Sequence, residues 1–313
     1  MENEVTTVDD LKTNPGQTPP EAPAEAAEKP QSLWGDVWYS LKCNHFAMAS
    51  LVIIGILVVI ALVTAIAPGI LPYDPYAQDL SQSFQAPSSA HWFGTDQQGR
   101  DIFSRILIGS QISLSVGLLA VAISLTIGVT LGAVAGYKGG VVDTIIMRIM
   151  DMMLAIPSIL LAIAFMAALG KGIDKAVVAI GLVSIPEYAR IVRSQILSVK
   201  QNDYVAAARV IGDTDAAIIF RHVLPNVMPS IIVRATLGIS SAILDCAALG
   251  FLGLGVQPPA AEWGDMLGRG RNYIFSAPYT MVFPGLAITI TVLAFNLLGD
   301  GIRDAFDPKS RKR

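Results

Sequence analysis

The chain has 313 residues, of which 53% are hydrophobic and only 15% charged, and its mean hydropathy is +0.55. A soluble domain carries about 25% charge, and here the apolar residues come in blocks of roughly 20, matching a bilayer core, so an ordinary soluble protein is excluded. The formal charge of −3 hides an acidic head: residues 1–32 hold seven acids against Lys12 and Lys29, while the remainder is slightly basic. No basic cluster with interleaved aromatics appears outside the extreme C-terminus, which argues against nucleic acid as a partner. Cys43 and Cys246 lie in unrelated segments without a CxxC, which speaks against a disulfide or a metal site.

Residues 1–32 are rich in Pro, Ala, Glu and Thr and bury too little surface to offset ordering entropy, so a disordered tail is expected. It lacks the basic start of a signal peptide. Trp34, Trp38, Leu41 and His45 follow at helical spacing, and tryptophans this close to a span suit an interfacial elbow helix, with a plain extension of the first span as the alternative. Elbow and first span together occupy 33–67, the span ending at Pro68-Gly69. A polar outside loop, 68–105, carries Pro72, Pro75 and Pro87. The transmembrane domain proper is expected over 106–304, with spans near 106–136, 142–169, 176–199, 227–255 and 279–298, and a basic tail over 305–313. Gly117, Gly128 and Gly132 in the second span permit close helix contact. Pro157 and Pro186 are expected to kink the third and fourth spans.

An all-α membrane protein with about six transmembrane helices follows. With the N-terminus inside, fifteen Lys and Arg fall on the cytoplasmic side and six outside, which orients both termini to the cytoplasm.

The polar stretch 200–226 interrupts the spans on the inside. Asn202 or Asp203 can cap a helix through Val210, and Gly212 can end it in a left-handed conformation. Asp213 or Thr214 can start a second short helix, which Pro225 is expected to close. Ala206, Ala207 and Ala208 present a flat face onto which another protein can pack. Physics alone leaves two readings open, an ordinary inside loop and a rigid docking protrusion.

The spacing of Ala206–Ala208, Gly212, His222 and Leu224-Pro225 resembles the EAA loop of binding-protein-dependent ABC permeases. Ala206 stands where that loop usually has Glu and His222 where it usually has Ile. Both departures resemble the peptide-importer branch, whose form Asp-Tyr-Val-x-Ala-Ala-Arg is met by Asp203, Tyr204 and Arg209. The stretches 91–101, 151–157, 244–264 and 294–304 resemble further signatures of that branch, so the likeness covers roughly residues 33–309. It extends to the C-type permease of dipeptide importers, and oligopeptide, glutathione and nickel importers have closely similar subunits.

The resemblance implies a type I importer permease fold in the bacterial inner membrane, with cytoplasmic coupling helices formed by Asp203, Tyr204, Ala206, Ala207, Ala208, Arg209, Gly212, His222, Leu224 and Pro225. It also implies a second homologous permease, two ABC ATPase subunits and a periplasmic or lipid-anchored substrate-binding protein. The chain itself is expected to be non-catalytic and to bind no cofactor: it has no GxxxxGK[ST], and ATP and Mg would be held by the ATPases.

Ionisable residues within spans are candidates for the pathway. Arg148 and Asp151, three apart on one helix, are expected to pair with each other. Arg234 and Asp245 are eleven apart, about 16 Å along an axis and nearly on one face. They cannot pair directly, and Asp245 either lines the pathway, where it could meet a peptide amino group, or bonds to a neighbouring helix. An ion-coupled carrier would leave 200–226 unexplained and shows no internal repeat. An intramembrane enzyme has no support either, since HExxH and GxSxG are absent and His45, His91 and His222 are far apart.

Overall fold

The computed structural model describes residues 33–307; the acidic tail 1–32 and the basic residues 308–313 lie outside them. Helix α1 (Leu33–Cys43) meets α2 (His45–Ile66) at Asn44, whose side-chain oxygen accepts from the amides of Phe46 and Ala47, both at 3.1 Å. That cap separates the elbow from the first span. Only Ala47, Ser50 and Thr64 of α2 are fully buried; one face packs through Ile54, Leu57 and Ala61 on Leu114, Ile243 and Phe295, and the other is exposed, as on a lipid-facing helix.

Residues 68–101 fold into a compact cap held by short turns, and Asp101 then caps α3 (Ile102–Lys138) by accepting from the Ser104 amide at 2.7 Å. At 37 residues α3 is about 55 Å long. It is the central post of the bundle. Gly128, Gly132 and Gly136 form a stripe along it, against which the backbone of α6 (Ile173–Val199) lies directly. A Cβ at Gly128 would come within 2.6 Å of Tyr188 Cβ, and one at Gly136 within 3.0 Å of the Arg193 carbonyl oxygen. Gly117 makes the corresponding approach to Ile243. The glycines expected to allow close helix contact do so.

Between α3 and α6 the chain forms α4 (Gly140–Leu154) and α5 (Ser158–Leu169), bent by 94°. Pro157 turns the expected kink into a break, because its ring excludes the preceding turn and Ile156 is pushed away from helical geometry. Pro186, by contrast, is accommodated inside a continuous α6.

A short α7 (Asp203–Ile211) ends at Gly212 in the left-handed conformation, φ 96°. Thr214 then caps α8 (Asp215–Phe251) by accepting from the Ala217 amide. Pro225 does not close a short helix, contrary to the expectation from sequence. The chain widens into a π-helical turn over Ile218–Val223 and continues as one 37-residue helix. The wider turn moves the carbonyls ahead of Pro225 off the path of its ring, so the missing N–H does not end the helix.

A loop leads to α9 (Trp263–Gly270), and α10 (Tyr279–Phe306) ends the described chain. Trp34 of α1 packs edge-on against Phe306 of α10, with centroids 6.1 Å apart, so the first and last described helices meet at one end of the bundle.

Helices α2, α3, α8 and α10 are long and apolar enough to cross a membrane, and α4 with α5 makes a fifth if the bent pair counts as one span. The remaining expected span is α6, long enough at 27 residues but interrupted by Glu187, Arg190 and Arg193. Their partners come from neighbouring helices. Arg190 binds Asp151 at 2.6 Å, Arg193 binds Asp143 at 2.6 Å, and Glu187 pairs with Arg234.

Candidate translocation cavity and coupling segment

Two regions carry chemistry beyond packing. The first lies at the bundle end where α3 and α6 finish. Val205 and Ala208 of α7 are buried in a cluster with Ala133, Tyr137, Val192, Ile196, Ile218, Val223 and Val227. Polar contacts hold the bend at Gly212. His222 Nε2 lies 3.1 Å from Asp213 Oδ2, the Tyr137 hydroxyl donates to Asp215 at 3.1 Å, and the Arg209 guanidinium sits 5.8 Å over the Tyr137 ring.

The outer surface of this knuckle is apolar. Val210, Ile211 and Phe220 are 88%, 82% and 70% exposed, and Tyr204 joins them. Of the residues anticipated for docking, Asp203, Ala206, Ala207, Arg209 and Pro225 are exposed and His222 and Leu224 are half-buried. The alanine face is only partly available: Ala208 points inward, because α7 must bury one side to stay seated. Val210, Ile211 and Phe220 were not anticipated, although an apolar pair directly before a helix-ending glycine was the available signal.

The second region is a cavity of about 340 Å³ between α4, α5, α6 and α8. Arg234, Asp245, Glu187, Tyr188, Ser184 and Ser241 give it polar walls, and Pro157 and Met153 an apolar one. Arg234 and Asp245 therefore share one cavity, as their common helix face suggested. The Arg234 guanidinium pairs with Glu187 and lies 5.7 Å over the Tyr188 ring, yet its Nε is buried without a hydrogen-bond partner. Asp245 makes no hydrogen bond or ion pair among the described residues.

Arg148 and Asp151 do not pair with each other. Asp151 turns to Arg190 of α6, and Arg148 has no ion pair among the described residues. Two side chains three apart are near enough to meet, but α6 packed alongside offers a guanidinium that can approach end-on. Neither residue lines the cavity. Glu187 does, and sequence reading passed over it. Its signal was an acid beside Pro186 in an otherwise apolar stretch.

The opposite end of the bundle is sealed by buried charge. Asp96 binds Arg100 at 2.6 Å, with the buried Arg105 beside it. His91 Nδ1 lies 2.9 Å from Asp101, and Trp263 donates to the Ile106 carbonyl at 3.0 Å. Phe93 stacks on Phe283 of α10 at 3.9 Å, which ties the cap 68–101 to the bundle.

Glu262 caps α9 by accepting from the amides of Gly264 and Asp265, both at 2.8 Å. Burial pushes its carboxyl up from 4.5 to about 7, despite those two amides, which favour the charged form. The folded protein thus holds this proton more tightly than the unfolded chain, so its contribution to stability is full below about pH 4.5 and is lost as pH rises through about 7. Glu262→Gln removes that titration. Thermal unfolding of the detergent-solubilised protein should show the wild type losing on the order of 3 kcal/mol more than the variant between pH 4 and 8.

A bundle of apolar helices with a charged internal cavity and an exposed apolar knuckle at one end defines the membrane-spanning subunit of a transporter. Residues 128–312 match the family of binding-protein-dependent transport system inner membrane components, and 32–87 match the N-terminal transmembrane domain of oligopeptide transport permease C. The chain is 48% identical over 302 residues to the dipeptide transport system permease protein DppC of Alkalihalophilus pseudofirmus, covering 96% of this chain and 97% of that one. It is 49% identical over 274 residues to the probable D,D-dipeptide transport system permease protein DdpC of Escherichia coli K12, covering 88% and 91%. It is 46% identical over 288 residues to the glutathione transport system permease protein GsiD of Escherichia coli O6:K15:H31, covering 92% and 94%. A chain of the MetNI methionine ABC transporter superposes with a TM-score of 0.55 at 21% identity, covering 65% of this chain and 96% of that one, which shows a shared fold.

The chain belongs to the family of binding-protein-dependent transport system inner membrane components, the permeases of ABC importers. It is a multi-pass membrane subunit that works with ATPase and substrate-binding partners.

Proposed function

We propose that this chain forms half of the translocation pathway of an importer for dipeptides or short peptides, and that residues 203–226 couple it to an ATPase. The names of its relatives support a peptide-type cargo, with glutathione as the nearest alternative. The observation that carries the coupling assignment is the knuckle around Gly212, where Val210, Ile211 and Phe220 lie uncovered at the end of the bundle. An apolar patch on a rigid bend is what a partner protein covers.

A second homologous permease would complete the cavity, two ATPases would sit beneath the knuckle, and a binding protein would deliver cargo at the cap 68–101. Both termini would face the cytoplasm of a bacterial inner-membrane protein, with α1 lying in the interface. Closure of the ATPases would swing the knuckle as a rigid body and switch access to the cavity.

Gly212→Trp tests the coupling role. A side chain there meets nothing within 4 Å, so the bundle should still fold, while the left-handed backbone and the docking surface are both disturbed. The assembled complex should lose substrate-stimulated ATP hydrolysis, with membrane insertion unchanged. Normal stimulation would sink the assignment.

A further inference from the structure

The cavity's charges are arranged in a way that ordinary packing leaves unexplained. Arg234 is the cationic side chain among its lining residues, and Glu187 and Asp245 are the two acids. Arg234 and Glu187 neutralise each other across α8 and α6, whereas Asp245 faces the cavity with no hydrogen bond or ion pair among the described residues. The buried Nε of Arg234 also lacks a hydrogen-bond acceptor. Buried polar groups are almost always partnered, so the unused guanidinium donor, with the half-buried and unpaired Asp245 carboxylate in the same cavity, points to a ligand with both an anionic and a cationic end.

Resting on the pathway reading above, we propose that the cavity recognises the two charged ends of a short peptide: Arg234 takes the carboxylate, and an acid, Glu187 or Asp245 according to chain length, takes the ammonium. The exchange conserves charge. A peptide carboxylate replaces Glu187 on Arg234, and the carboxylate so released is available to the peptide's own ammonium. No net charge has to be buried, which removes the main cost of passing a zwitterion through a low-dielectric space.

Length follows from the helix. Arg234 and Asp245 are about 16 Å apart along α8, and an extended chain spans about 3.3–3.6 Å per residue. A peptide of about four or five residues therefore reaches from Arg234 to Asp245. A dipeptide, roughly 7 Å long, falls short of that span, and the acid near enough for its ammonium is Glu187, which touches Arg234. Ser184, Ser241 and Gly238 lie along the same wall, with small or hydroxyl side chains that leave room for peptide groups.

The test uses the assembled importer in membrane vesicles, with Cys43→Ser to remove the exposed thiol and Ser241→Cys as a reporter in the cavity wall. The buried Cys246 serves as a silent background. Labelling of position 241 by a water-soluble thiol reagent is measured with alanylalanine or penta-alanine present, each in free, N-acetylated and C-amidated form. Free peptides should slow labelling at concentrations about tenfold lower than the blocked forms, since each blocked end loses a charge-assisted bond. Arg234→Gln should erase the discrimination against amides for both lengths. Asp245→Asn should erase the discrimination against acetylation for penta-alanine, and Glu187→Gln for alanylalanine. Equal protection by free and blocked peptides, or discrimination that survives all three substitutions, would overturn end recognition while leaving the pathway reading intact. If position 241 stays unlabelled in every nucleotide state, the cavity is not on a water-accessible path and both readings fall.

Discussion

Gly132→Val is expected to leave almost no folded permease in the membrane. A side chain at this position would overlap the carbonyl oxygen of Ala189 and come within 3.0 Å of the Ala189 Cα. Overpacking usually costs about 1–3 kcal/mol because side chains can shift aside. Here the obstacle is backbone in the middle of a helix, so α3 and α6 would have to part along their shared length. That separation would also pull Arg190 and Arg193 away from Asp151 and Asp143 and open the wall of the cavity at Tyr188. The loss should therefore exceed the usual range. Expression with a fluorescent C-terminal fusion, followed by size-exclusion chromatography in mild detergent, checks this. A monodisperse peak at the wild-type level would contradict the close packing of α3 on α6. Gly132→Ala adds only a methyl group and should lie between the two.

The second large effect is expected at Arg105. Its guanidinium is buried, donates to the Pro75 carbonyl at 2.8 Å and sits 3.8 Å from Asp96. Arg105→Ala leaves Asp96 paired with Arg100, so the cost comes from the Pro75 carbonyl left without its donor, about 1–3 kcal/mol, and from the void left by a fully buried side chain. Arg105→Ala should loosen the cap 68–101 from the start of α3 without unfolding the glycine-packed bundle. With the cap on the outer face, as proposed above, external protease added to spheroplasts should then cut within it at least about tenfold faster than in the wild type, while the bundle remains intact. Arg105→Lys should rescue only in part, since an ammonium lacks the planar fork that can serve Pro75 and Asp96 together. Unchanged protease resistance in Arg105→Ala would mean that the aromatic contacts of Phe93 hold the cap without help.

These two positions also show where sequence reading succeeds and where it stops. Gly132 was legible because small residues in an apolar span have few uses other than close approach, although its partner on α6 was not. Arg105 was counted only as an outside charge. Its burial depends on Asp96 and Pro75 folding back over it, and no local pattern encodes that. The bend at Gly212 was legible for a local reason: a glycine followed by a capping residue states its geometry within three positions. The fate of the helix at Pro225 was not, because local chemistry predicts a stop whereas a π-helical turn, stabilised by the buried Ile218 and Val223, carries the helix onward.

The sequence by itself determined the class of the protein, its helical membrane bundle, the bent segment 203–212 and the family to which it belongs. Each of these rests on composition, on periodicity within one helix, or on ordered motifs, all of which are local properties of the chain. Only the tertiary structure decided which charges meet. Asp151 pairs with Arg190 and not with Arg148, Arg234 pairs with Glu187, and Asp245 is left facing a cavity. Those partners lie 39 and 47 residues apart along the chain, and they are brought together by the close seating of α6 on the glycine stripe of α3. An ion pair is chosen by distance in space, and in a helical bundle that distance is set by how closely the helices pack.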